Sequence, residues 1–275
     1  MRLKERILPL DGRTGIMGIL NVTPDSFSDG GELPDTVSAV KRAERMLADG
    51  ADLIDIGGES TRPGALPVKV SEELERVVPV IKAIKKELGA VISVDTYKSG
   101  VARAALDEGA DLVNDISGLN ADPSMAGVIA HSGAACILMH MKGTPRTMQK
   151  APFYSDIIDE ITGSLKGSVS KAEEAGIDPE KIIIDPGIGF GKTVEDNLIL
   201  IRHLDRMSSV GKPIMIGTSR KSFIGAITGR SVKERIHGTV ASVCAAVLNG
   251  ASIVRVHDVG EVSDALKIID AIKGV

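Results

Sequence analysis

"ADGADLIDIGG", residues 48–58, returns in altered form as "DEGADLVNDIS" at 107–117 and "LNGASIVRVHD" at 248–258. Each version carries Gly-Ala-Asp/Ser into a short apolar run that ends in polar residues. A glycine that closes a helix, followed directly by an Ile/Val/Leu run, is the junction of a helix and a strand. The echo marks repeated helix-turn-strand units within one domain; it is not a true repeat array.

Working outward, runs of the same kind lie at 15–20, 52–56, 90–94, 111–114, 135–139, 181–184, 213–216 and 252–256. Between them stand amphipathic stretches such as "DTVSAVKRAERMLADG" (35–50), "SEELERVVPVIKAIKKELG" (71–89) and "YSDIIDEITGSLKGSVSKAEEAG" (154–176). The first two end at Gly50 and Gly89, which suit left-handed helix caps. Pro79 inside the second predicts a kink or a late helix start. Eight strand-like runs, each followed by a helix and with no linker, predict an α/β protein of the (β/α)8 TIM-barrel class, a single domain over 1–275. A doubly wound sheet is the alternative, because strand order is not readable from sequence.

Composition excludes several function classes. Hydrophobic residues make up 43% and charged residues 25% of the 275, while aromatics are 2% and Trp is absent. Such a core is built from Ile, Val, Leu, Ala and Met, as parallel-strand folds are. A net charge of −4 advertises no nucleic-acid face. The start, "MRLKERILPL", has no apolar leader core, and the most apolar late stretch, 240–256, is cut by Asn249, Gly250 and Arg255. The expectation is a cytoplasmic protein without a membrane partner. Cys136 and Cys244 both sit in apolar runs and read as buried free thiols.

In a barrel the connections after the strands form the active face. Here every such end is polar: Asn21; Glu59-Ser60-Thr61-Arg62; Asp95; Asn114-Asp115; His140; Asp185; Ser219-Arg220-Lys221-Ser222; and Arg255, His257 and Asp258. Any one of them alone reads as a helix cap or a loop hydrogen bond. All eight together read as a shared polar pocket. No HExxH, CxxC or Gly-x-Ser-x-Gly pattern occurs, which disfavours a tight zinc or iron site and a serine hydrolase. Asp95, Asn114 and Asp185 suit a flat heterocycle with several N–H groups, and Arg62, Arg255 and His257 suit a phosphate or pyrophosphate.

"IIIDPGIGFGKT" (182–193) stops short of a phosphate-cradling P-loop, because Pro186 stands where the first glycine belongs and has no N–H to offer.

Taken in order, "NVTPDSFSDGG", "GGESTRPGA", "SVDTYK", "NDISG", "LMHMKGTPRTMQ", "DPGIGFGK", "SRKSFIG" and "RVHDV" resemble the dihydropteroate synthases of folate biosynthesis, nearly end to end. The resemblance implies a (β/α)8 barrel, usually a homodimer and a sulfonamide target. It implies the joining of p-aminobenzoate to hydroxymethyl-dihydropterin pyrophosphate, with Mg²⁺. By motif, Asp95, Asn114, Asp185 and Lys221 would hold the pterin, with Arg255 stacked on it and Ile116, Met139 and Phe190 in apolar contact. Asn21, Arg62, Arg255 and His257 would take pyrophosphate, with Asn21 the protein ligand of Mg²⁺. Phe27, Thr61, Pro63, Lys221 and Ser222 would shape the p-aminobenzoate site. Asp95, Asp185, Lys221 and Arg255 are the catalytic candidates. The near P-loop then resembles a pterin-binding turn, and Lys192 reads as a solvated or structural lysine. The long polar connections 21–36 and 57–70 are expected to be mobile in the free protein. The alternatives are a methyltetrahydrofolate:corrinoid methyltransferase-like barrel, which would share Asp95, Asn114 and Asp185, and a non-catalytic pterin-binding module.

Overall fold

The computed structural model describes residues 10, 12–23, 35–62 and 64–274. Phe27, Pro63 and most of the connection 21–36 lie outside the described residues. All eight expected strands form: β1 (Gly15–Asn21), β2 (Leu53–Gly57), β3 (Ile92–Asp95), β4 (Leu112–Asp115), β5 (Ala135–Met139), β6 (Ile182–Asp185), β7 (Met215–Ile216) and β8 (Ile253–Val256). They pair in parallel in the order β6-β5-β4-β3-β2-β1-β8-β7. A further parallel bridge, Ile184 to Ile214, joins β6 to the start of β7, so the sheet curls into a nearly closed barrel. The doubly wound alternative is thereby excluded.

Alternation along the strands sorts the side chains. Met17, Leu53, Leu112, Ala135, Ile137, Ile183, Met215 and Ile253 point inward and form one apolar plug. Their neighbours, such as Ile54, Ile92, Val113, Ile184 and Val254, face outward into the layer beneath the helices. Two residues beyond Leu53, Leu112, Ile183 and Ile253 stand Asp55, Asn114, Asp185 and Arg255, and Asp95 of β3 lies in register with Asn114. The apolar plug therefore ends in a polar floor at the carboxyl ends of the strands.

The helices are α1 (Thr36–Ala48), α2 (Val70–Leu88), α3 (Ser99–Asp107), α4 (Met125–Ser132), α5 (Ile157–Glu174), α6 (Val194–Arg202), α7 (Ser222–Thr228), α8 (Ile236–Leu248) and α9 (Val259–Lys273). β7 is thus followed by two helices rather than the expected one. α2 buries Val77, Val80, Ile81 and Ile84, a stripe of helical period. Burying each such side chain contributes about 1.5–3 kcal/mol. α2 starts at Val70 and runs on through Pro79, so the late start expected there does not occur. Pro79 is exposed, so its ring projects outward and water can reach the Glu75 carbonyl it leaves unpaired. The α2 cap is as expected, with Gly89 at φ 57. In α1 the cap is instead Asp49, and Gly50 follows it at φ 109. Cys136 is buried, but Cys244 is only half-buried, off the α8 face that carries Val243, Ala246 and Val247. Among the described residues no helix is long and apolar enough to cross a membrane.

Candidate active site

The floor is centred on Arg255. Its Nε donates to Asp55 Oδ2 at 2.6 Å and its Nη2 to Asp95 Oδ2 at 2.7 Å. Asn114 Nδ2 donates to the same Asp55 oxygen at 3.2 Å. Strands β2, β3, β4 and β8 are tied at one level by these bonds. Two carboxylates share one guanidinium, which leaves an excess negative charge in a buried place. Burial, reinforced by Asp55 against the pull of Arg255, raises the Asp95 pKa to about 7. Burial works against the Arg255 charge, but Asp55 and Asp95 hold its proton more firmly than usual. Asp95 Oδ1 and Asn114 Oδ1 are buried without a hydrogen-bond partner among the described residues. Unpaired buried acceptors are costly unless a ligand supplies donors.

Asp185 ends β6, and its Oδ1 accepts the Gly187 N–H at 2.7 Å. Burial raises its pKa, against the pull of that N–H and of Lys221, Arg255 and Lys192. The turn that follows is possible only with glycine. Gly187 has φ 71, and a Cβ there would lie 2.0 Å from the His140 carbonyl oxygen. Gly191, at φ 68, would place one 2.6 Å from the Lys142 oxygen. Asn197 Oδ1 accepts the Gly189 N–H at 2.7 Å, and Gln149 donates to the Gly189 carbonyl at 2.7 Å. The turn packs close against the connection after β5. Its Gly187 N–H is taken by the Asp185 carboxylate, and Pro186 has none to offer.

Ile116, Met139 and Phe190, expected around a ring, do cluster, and Met148 joins them. Lys221 Nζ lies 4.1 Å from the Phe190 ring centroid. Burial, then Arg255, lowers the Lys221 pKa to about 8. Ser222, at the start of α7, is exposed. His257 Nδ1 sits 3.0 Å from Ser219 Oγ. Burial and the neighbouring Arg255 and Arg220 lower the His257 pKa to about 3, so in the free protein it is a neutral ring. Arg220 pairs with Asp258 through both its Nε and Nη2. Asn21 closes β1 beside Gly57, while Thr61 is half-buried and Arg62 exposed on the connection after β2. That connection is anchored: Lys98 Nζ bonds Glu59, Glu73 at 2.5 Å and the Val68 carbonyl at 2.9 Å, and Tyr97 donates to Glu59 at 2.6 Å.

Asp55 was missed by the sequence reading, although the signal was present. In "LIDIGG" alternation puts it on the inward face with Leu53, and a buried carboxylate needs a partner. Lys192, read as solvated or structural, is buried at 3% exposure, so only the structural half of that reading survives.

A (β/α)8 barrel whose mouth gathers buried carboxylates, an amide and a guanidinium beside an apolar wall is a binder of flat, nitrogen-rich heterocycles. The model of the family described as "Pterin binding enzyme" matches residues 17–257. A dihydropteroate synthase of Synechocystis sp. is 50% identical over 94% of this chain and 90% of its own length. The crystal structure of the Yersinia pestis dihydropteroate synthase with a sulfonamide drug complex superposes with a TM-score of 0.95 at 41% identity, over 100% of this chain and 99% of that one. The Xanthomonas albilineans dihydropteroate synthase with 4-aminobenzoic acid gives 0.92 at 45% identity, over 98% and 96%. The chain belongs to the pterin-binding enzyme family, among its dihydropteroate synthases.

Proposed function

We propose that this chain joins p-aminobenzoate to hydroxymethyl-dihydropterin pyrophosphate, releasing dihydropteroate and pyrophosphate. The observation that carries this is the convergence of Asp95, Asn114 and Asp185 with the apolar wall of Ile116, Met139 and Phe190 at one barrel mouth. In this reading the three polar residues and Lys221 hold the pterin edge, and Arg255 stacks on its face. Asn21, Arg62, Arg255 and His257 take the pyrophosphate. Thr61, Lys221 and Ser222, with Phe27 and Pro63, shape the p-aminobenzoate site, where a sulfonamide would compete.

The reaction breaks the bond between the pterin methylene and a pyrophosphate oxygen and forms a carbon–nitrogen bond to the aryl amine. One amine proton is released. Positive charge that develops on the methylene spreads into the pterin, and ionised Asp95 and Asp185 stabilise it electrostatically. Ionised forms also accept the ring N–H groups. Arg255 and Arg62 offset the charge growing on the leaving group. His257 gains basicity beside the pyrophosphate anion, which draws a proton to a ring that is neutral in the free protein. The aryl amine is a weak base and needs no strong general base.

The residues present fit Mg²⁺. Gly57 leaves room between Asn21 and Asp95, since a Cβ there would lie 3.7 Å from Asn21 Oδ1 and 3.5 Å from Asp95 Cβ. Among the described residues no group of three or more His, Cys, Asp or Glu could hold a metal. A hard ion taken by one amide oxygen and mainly by phosphate oxygens suits that donor set. Asn21 would hold it, and the ion supplies neutralisation of the leaving group when bound. A homodimer working in the cytoplasm completes the proposal, on the family resemblance.

A pyrophosphate-release assay tests the activity. Release that requires both substrates supports the synthase; pterin binding without release supports a binding module or a methyltransferase-like barrel. For the site, Asp185→Asn should weaken pterin binding at least about tenfold with the fold kept, because a donor then faces ring donors. Wild-type affinity by calorimetry would remove Asp185 from the site.

A further inference from the structure

Lys192 is the part of "DPGIGFGK" that the proposed reaction leaves without a task. Its Nζ lies 3.0 Å from the Phe190 carbonyl, 3.1 Å from His140 Nδ1 and 3.5 Å from the His140 carbonyl. Three acceptors match the three protons of an ammonium. All three belong to the two segments that wall the pterin site. Phe190 is the apolar face of the turn, and His140 follows β5, with its N–H donating to the Asp185 carbonyl at 2.9 Å. Among the described residues Lys192 makes no direct bond to a carboxylate. Burial lowers the Lys192 pKa to about 7 against the pull of Asp185 and, behind it, Asp196 of α6, while Lys221 and Lys142 repel its charge, so Lys192 is a cation in the weakly acidic range.

The geometry points to Lys192 as a positioning residue of the pterin site, acting from behind the turn to keep Asp185 ionised and His140 in its Nε2–H form. This rests on the reading of Asp185 as a pterin ligand. An ammonium aimed at Nδ1 needs a lone pair there, which places the ring proton on Nε2. Burial, with Lys192 and Lys142 close by, lowers the His140 pKa to about 3, so the ring is neutral. Asp185 is a buried carboxylate that must be charged to accept ring N–H groups, and its own pKa is raised by that burial. The groups that pull it back are the Gly187 N–H, Lys221, Arg255 and Lys192. Lys221 and Arg255 face the ligand and are engaged by it. Lys192 alone among these cations is fully buried, so substrate does not displace it from this task.

Calorimetric titration of 6-hydroxymethylpterin across the weakly acidic range tests this in four variants beside the wild type. Removing the cation raises the Asp185 pKa. In Lys192→Met and Lys192→Gln, binding should therefore fail at a pH about one unit higher than in the wild type, a roughly tenfold loss within that window. Lys192→Arg should keep the wild-type acid limb. Nitrogen NMR of His140 should show the Nε2–H form in the wild type and a mixture of tautomers in Lys192→Met or Lys192→Gln. Gln keeps two donors and guards against a Met variant that does not fold. A loss of affinity equal at every pH, or an unmoved acid limb with an unmoved tautomer, would overturn the inference. Asp185→Asn is the control: if it binds the pterin as well as the wild type, the Asp185 reading fails and takes the acid-limb claim with it, whereas weakened binding there beside an unmoved limb in the Lys192 variants sinks the Lys192 inference alone.

Discussion

Asp55 and Asp95 share Arg255, and their arithmetic of charge is the most consequential feature at the residue scale. Folded Asp95, with a pKa raised to about 7 from an ordinary 3.8, holds its proton more tightly than the unfolded chain does. Unfolding then releases that proton, so between about pH 4 and about 7 this group makes the free protein less stable as pH rises. Asp55→Asn removes the carboxylate that helps to raise Asp95. The expected result is an Asp95 pKa about one unit lower and a shallower fall in stability, a difference of about 1.4 kcal/mol near neutral pH. Urea unfolding at several pH values measures it, and parallel curves for the two proteins would refute it. The residue types of this floor were legible in the sequence, because Asp95, Asn114, Asp185 and Arg255 stand at strand ends. The partnership was not: Asp55 and Arg255 are 200 positions apart, and only closure of the sheet brings them together.

At the scale of elements, the strands were legible where apolar runs are long and least so at β7. The run 213–216 reads as four strand residues, but β7 is only Met215–Ile216. Pro213 has no N–H for a ladder, and its carbonyl accepts the Ile184 N–H at 3.0 Å instead. Helix α2 shows the opposite case, a breaker overridden by packing. Its apolar stripe on both sides of Pro79 holds the helix together while the exposed proline costs it one bond. Proline is about 3 kcal/mol worse than alanine inside a helix, offset in part by about 0.4–1 kcal/mol of unfolded-state entropy. Pro79→Ala should therefore stabilise the protein by about 2–2.5 kcal/mol. An unchanged denaturation midpoint would mean that α2 gains nothing from the restored bond and is held in its present course by its neighbours.

Across the whole molecule, strand order decides how the two substrates meet. Around the mouth the strands run β2, β1, β8, β7. The groups assigned to p-aminobenzoate stand on the connections after β2 (Thr61) and β7 (Lys221, Ser222). Those assigned to pyrophosphate stand between them, on β1 (Asn21) and at the end of β8 (Arg255, His257), with Arg62 beside Thr61. A small aryl acid cannot by itself bring together groups on strands that are not neighbours, since few atoms give little binding energy to set against ordering exposed side chains. Arg62 and Ser222 are exposed in the free protein. Pyrophosphate with Mg²⁺, multiply charged, can draw Asn21, Arg62 and the β8 groups into one place and so complete the wall that p-aminobenzoate needs. Binding of p-aminobenzoate is therefore expected to be weak alone and at least about tenfold tighter once Mg²⁺-pyrophosphate is present, a coupling of ~1.4 kcal/mol. By reciprocity p-aminobenzoate should tighten pyrophosphate by the same factor. Paired titrations in both directions measure the coupling, and equal p-aminobenzoate affinity with and without Mg²⁺-pyrophosphate would show that the two subsites form independently.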